Sequence, residues 1–189
     1  MVQRQRTFRM QSERRLRASP EELTAIILDP DQLSHWGGAV FMECEILERG
    51  DPRGLGMSTR SYAKGLLPHA FVVWSRISYL VPHRFMRVDV SGDLEGYAEL
   101  EVFPEGDELR VKILWQIDCC HPIIGPITRV LPFIFRANHH FTLSRGFSLM
   151  QRELDRRRAG LAPCRPSIPT FPHNFPALRR FFYRNRVAS

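Results

Sequence analysis

Residues 109–119 read LRVKILWQIDC, and their alternation is the clearest in the chain. Val111, Ile113, Trp115, Ile117 and Cys119 share one parity, and Arg110, Lys112, Gln116 and Asp118 share the other. Successive side chains of a strand point to opposite faces, so this strand has one covered face and one wet face. That pattern belongs to an antiparallel sheet packed on one side only.

Working back from this strand, the same period of two runs through VFMECEILE (40–48), GMSTRSYAK (56–64), HAFVVWSRISYL (69–80), FMRVDVS (85–91) and YAELEVF (97–103). The separators RGDPRG, GLLP, VPH, GDLEG and PEGDE are rich in turn residues at hairpin spacing. Residues 6–17 alternate more loosely, with Phe8, Met10 and Leu16 on one parity, and add a first strand. Between that strand and the next, ASPEEL offers Ser19 as a helix cap, Pro20 at the first position, and Glu21 and Glu22 toward the positive end of the dipole. A second short helix starts from Asp29 or Asp31 and runs to Trp36, where WGG breaks it.

Forward of the strand, a helical pattern spans about Ile127 to Arg158, with apolar residues at Ile127, Leu131, Ile134, Phe135, Phe141, Leu149 and Leu154. Pro132 belongs in a first turn or marks a kink, and Gly160 ends the helix. The order strand, two small helices, six strands, long helix predicts an α+β chain: a seven-stranded curved antiparallel sheet wrapped round a long C-terminal helix. Such a sheet and helix cannot meet everywhere, which leaves an apolar cavity between them. Residues 1–160 form this domain. Residues 161–189 are a proline-rich extension ending in a short basic, aromatic helix, PALRRFFYRNR.

Composition narrows the functional classes. At 189 residues, 43% hydrophobic and 25% charged, the chain suits one soluble globular domain. Its start is basic and polar without an apolar core, unlike a secretory signal, and HPIIGPITRVLPFIF is too short and too broken to span a bilayer. Cys44, Cys119, Cys120 and Cys164 form no C-x-x-C pair, so a reduced, cytoplasmic compartment is expected. From Arg152 onward there are nine arginines against two acids, which is the whole of the formal +7. A neutral body with a cationic tail differs from a nucleic-acid-binding domain that is basic throughout, and no nucleic-acid motif accompanies the charge.

With the element order, the stretches ASPEELTAIILDPDQLSHW, ERGDPRGLG, VSGDLEGYAELEV and NHHFTLSRGFSLM resemble the polyketide cyclase/dehydrase-like branch of the START and birch-pollen-allergen superfamily, over roughly residues 7–155. The family pattern has Asp after the Asn-His pair and Met three places on; here His140 and Leu143 stand there. The resemblance implies a helix-grip fold with a deep cavity for hydrophobic or aromatic small molecules. It also implies either a carrier or sensor, or an aromatase/cyclase. Fold alone does not choose between them.

Candidate residues follow. Neighbours on a helix diverge by about 100°, so His139 and His140 cannot both face the sheet. Asn138 is expected to point inward with His139 at its edge, and His140 outward. A metal site is not expected, because residues 135, 136, 143 and 144 supply no ligand one turn away. Nor does the chain call for a cofactor. A catalytic reading takes His139 as base with Asn138 or Arg14 as donor. A binding reading lines the cavity with Met42, Phe71, Val73, Met86, Val88, Ile113, Trp115, Ile117, Leu131, Phe135, Asn138 and Thr142. Its partner is a hydrophobic small molecule. A third reading gives Arg179, Arg180, Phe181, Phe182, Arg184 and Arg186 contact with a partner or an anionic membrane surface, which would make the protein peripheral to a membrane.

Overall fold

The computed structural model describes residues 7–163 and 166–187, with side chains as far as Phe181. Its seven strands are β1 (Phe8–Leu16), β2 (Phe41–Glu48), β3 (Ser58–Lys64), β4 (Ala70–Val81), β5 (Phe85–Gly92), β6 (Leu94–Glu105) and β7 (Glu108–Cys119). They form one antiparallel sheet in the order β1-β7-β6-β5-β4-β3-β2. Five hairpins therefore run in sequence across the sheet, and β1 joins at the edge beside β7. In the register, Trp115 stands opposite Met10 on one side and Ala98 on the other.

The helices follow from their local chemistry. In α1 (Pro20–Ile27), Ser19 and Glu22 make a reciprocal capping box, and Leu23 and Ile26 are the buried face. A 3-10 turn (Pro30–Gln32) and α2 (Leu33–Trp36) bury Trp36. The single long helix expected from about Ile127 is in fact two, α3 (Ile124–Val130) and α4 (Pro132–Arg158). Leu131 between them has φ −121 and ψ 63. Proline lacks the N–H that would continue a helix and pushes the preceding residue out of the α region, so the break falls at Leu131 and Pro132 opens α4.

Two apolar clusters fill the concave side. One joins Leu16, Leu23, Ile26, Trp36, Val111 and Ile113 to Leu149 and Leu154 of α4. The other joins Phe8, Met10, Phe71, Val73 and Ile117 to Phe135, whose ring centroid lies 4.5 Å from that of Phe8. Each such side chain contributes about 1.5–3 kcal/mol on leaving water. Trp115 packs against both clusters. The C-terminal end of α4 is held by ion pairs: Arg156 and Arg157 on buried Glu153, Arg157 on Asp29 at 2.7 Å, and Arg158 on Glu22 at 2.5 Å.

A third cluster, Met42, Tyr62, Ala70 and Val72, lies on the other side of the sheet. The extension covers it. Ser167 Oγ accepts from Ala39 N, Thr170 Oγ1 donates to Gly65 O, and Tyr62 Oη shares a 3.1 Å hydrogen bond with His173 Nε2. Lys64 is 1% exposed and donates to Leu67 O at 2.6 Å and Phe171 O at 3.0 Å. Helix α5 (Pro176–Val187) follows, with Arg179 on Glu43 at 2.7 Å. The cationic tail is thus partly spent on the fold, since Arg156, Arg157, Arg158 and Arg179 all have carboxylate partners.

Candidate functional site

Helix α4 lies across the concave face and touches the sheet's two flanks. On one flank, Arg14 of β1 donates to Ser144 Oγ at 3.0 Å and sits 3.5 Å from His140 Nδ1. On the other, Asn138 Oδ1 accepts from Leu67 N at 3.1 Å in the β3–β4 loop. Gly65 allows that approach. A Cβ there would collide with Asn138 and with Thr142, whose hydroxyl donates back to Asn138 O. With both flanks fixed, residues 135, 139 and 143 face the sheet between them.

His139 therefore lies over the strand rather than at an edge. Its ring meets Trp115 edge-on, with centroids 5.0 Å apart. Its Nε2 is buried and has no hydrogen-bond partner among the described residues. Burial first, then the charges of His140 and Arg14, pushes its pKa down to about 4, so the imidazole is neutral at pH 7. A neutral imidazole keeps one nitrogen donating and one accepting. Asn138 points to the loop and not to the middle of the sheet. His140 is exposed, as expected.

The predicted lining divides by burial. Phe71, Val73, Ile113, Ile117 and Phe135 are buried in the two clusters and belong to the core. Met86, Val88 and Trp115 are half-buried on the concave face, with Ala98, Leu100 and Leu143 in the same condition. Met86 also borders a crevice between α1 and the β4–β5 hairpin, shared with Leu23, Ile27, Leu80 and Leu100. Two expected lining residues lie elsewhere. Met42 is in the cluster beneath the extension, because β2 is irregular between Phe41 and Glu43. Leu131 is 38% exposed, because the break at Pro132 takes it out of the register of α4. Of the catalytic trio, Asn138 holds the loop, Arg14 donates to Ser144 while its charge reaches His139, and the His139 ring lies over Trp115.

At the far end of the sheet, the sequence G-D-L-E-G has a structural use. Asp93 Oδ2 accepts from Val72 N, and Asp93 O accepts from Cys120 N and His121 N, which ties β4, the β5–β6 turn and the start of α3 together. Gly96, with φ 140, passes so close to Gln116 O that no side chain fits. The buried Lys64, Tyr62 and His173 group went unrecognised in the sequence; the parity shared by Lys64 and Tyr62 was its only sign. Of the tail residues, Arg180 and Phe181 are exposed, while the side chains of Phe182, Arg184 and Arg186 lie outside the described residues. Among the described residues no group of three His, Cys, Asp or Glu could hold a metal ion, and no helix is long and apolar enough to cross a membrane.

No family model and no curated protein matches the chain. Solved structures do. A START superfamily protein from Mycobacterium smegmatis matches with TM-score 0.61 and 16% identity, over 79% of this chain and 98% of that one. The Zhui aromatase/cyclase from Streptomyces sp. R1128 gives TM-score 0.64 and 13% identity, over 83% and 100%. Norcoclaurine synthase from Thalictrum flavum, in complex with dopamine and hydroxybenzaldehyde, gives 0.55 and 14%, over 79% and 87%. At these identities the likeness speaks for the fold, and it covers residues of the domain rather than a short motif. The chain thus has the same helix-grip fold as the START superfamily protein, the aromatase/cyclase and the synthase.

Proposed function

We propose that this protein binds a hydrophobic or aromatic small molecule between α4 and the concave face of the sheet, as a carrier or sensor. One observation carries the reading. Trp115, Val88, Ala98, Leu100 and Leu143 face the interior of the grip yet remain half-buried, and the unpartnered Nε2 of His139 lies over Trp115. An apolar wall with a single unsatisfied polar atom suits a ligand that is mostly apolar and carries one carbonyl or hydroxyl. The aromatase/cyclase and the synthase with its two aromatic molecules support an aromatic ligand class.

A cyclase or dehydrase would use the same space, with His139 as base. Two features weigh against it. A base whose conjugate acid has a pKa of about 4 has little driving force for taking a proton from carbon at pH 7. Arg14 is also engaged with Ser144 rather than directed at an oxyanion.

Calorimetric titration with fatty acids, quinones and aromatic polyketides tests the reading. Ala98→Phe, which fills the space opposite Trp115, should abolish binding of whichever compound the wild type takes. His139→Ala should weaken it about tenfold, the loss of one buried hydrogen bond. Undiminished affinity in Ala98→Phe would place the ligand elsewhere. Turnover of a polyketide that disappears in His139→Ala with affinity kept would favour the enzyme.

A further inference from the structure

The end of the molecule around α3 carries large apolar side chains that the fold leaves in water. Val130 is 78% exposed, Ile123 68%, Phe133 64% and Leu66 54%. Ile127 and Phe171 are exposed as well. They sit on segments that are tied to one another. His121 Nδ1 accepts from Ile123 N and Ile124 N at the start of α3, and its ring lies 6.3 Å from that of His69 in the β3–β4 loop. That loop carries Leu66, and Thr170 donates to Gly65 O within it, bringing Phe171 alongside. Exposed apolar residues scattered singly need no explanation, but several on adjoining segments mark a surface that meets something.

The charge around them says what. Between Asp118 and Glu153 the sequence has no acidic residue and four arginines, at 129, 136, 145 and 152. After Asp155 it has none to the end of the chain. Arg136 stands exposed on the second turn of α4, just beyond Phe133. A second copy of the chain meeting this face would bring cation against cation. An anionic surface with an apolar interior complements both features at once.

We propose that α3, the start of α4 and the β3–β4 loop form a docking face for an anionic lipid bilayer, with Ile123, Val130 and Phe133 entering the acyl boundary and Arg136 at the headgroups. This places the membrane-facing surface on the domain itself. In the terminal helix, Arg179 is already held by Glu43. The face acts in this way whatever the interior of the grip holds.

Flotation of the full-length protein with vesicles tests it, comparing phosphatidylcholine alone with phosphatidylcholine mixed with phosphatidylglycerol. The wild type should float with the mixed vesicles only, and less so as salt is raised. Val130→Glu combined with Phe133→Glu should reduce partitioning by about tenfold or more. Arg136→Glu, which alters charge alone, should also reduce it. Leu47→Glu, an exposed apolar residue on β2, should leave it unchanged. Wild type that stays unbound overturns the proposal, as does partitioning that is equal in all the variants. Light scattering that shows a dimer abolished by the double substitution would assign the face to a second copy and overturn it too.

Discussion

His139 is neutral at pH 7 because the interior will not accept its charge, and that has a measurable sign. In the unfolded chain the imidazole takes a proton near its ordinary value of 6.5, whereas in the folded chain it does so only near 4. The unfolded state therefore binds more protons between these values, and stability falls as pH drops from about 6.5 to 4. His173, held near 4 chiefly by burial, acts in the same direction. Urea denaturation over this pH range should show the fall, and His139→Gln should flatten part of it. A second residue-scale prediction concerns Asn138: Asn138→Ala removes the acceptor of Leu67 N–H and should cost about 1–2 kcal/mol by the same assay. The sequence placed Asn138 inward and His139 at its edge; Asn138 is buried as expected, but against the β3–β4 loop, and His139 is the one that lies over Trp115. Helical spacing gives the angle between neighbours but not the rotation of the whole helix. That rotation is set by contacts distant in sequence: Phe8 on Phe135, Arg14 on Ser144 and Gly65 beside Asn138.

At the scale of elements, the strands were legible because a sheet with one covered face writes its period directly into the chain. LRVKILWQIDC and its neighbours fall within a few residues of β2 to β7. The break between α3 and α4 was half legible. Pro132 announced it, but the apolar residues on either side read equally well as one helix, and so Ile127 and Leu131 were expected inside. The covering of the outer face was half legible: a proline-rich, aromatic extension is expected to strap back onto the domain, but its composition does not say onto which face. Met42, Tyr62, Ala70 and Val72 look like ordinary strand residues, and nothing local says that residues 166–181 lie over them. The extension is consequently predicted to be part of the folded unit. Truncation after Gly160 exposes that cluster and Lys64, and should lower stability by about 2 kcal/mol or more, read as a drop in melting temperature. An unchanged melting temperature would mean that the strap contributes nothing.

For the whole molecule, element order predicted a curved sheet wrapped round a long helix, and the fold shared with the START superfamily protein, the aromatase/cyclase and the synthase agrees with it at identities of 13–16%. The candidate site was legible only as a region. Trp115 and Val88 were expected to line the cavity, whereas Ala98 and Leu100 on the same apolar face read as core, because which apolar residues are consumed by the core and which are left half-covered depends on where α4 rests. The charge pattern was legible in total but misplaced in use. Several tail arginines pair with carboxylates, while α3 and the start of α4, which carry much of the exposed apolar surface, lie in the acid-free stretch from 119 to 152. The account's central claim is that the half-covered wall under α4 belongs to a ligand. Native mass spectrometry of the protein as purified, with organic extraction of whatever it carries, addresses this most directly. The account predicts a one-to-one apolar adduct in the wild type, or one formed on adding a compound from the panel, and its absence in Ala98→Phe. A wild type that is empty and takes up no fatty acid, quinone or aromatic polyketide would contradict it.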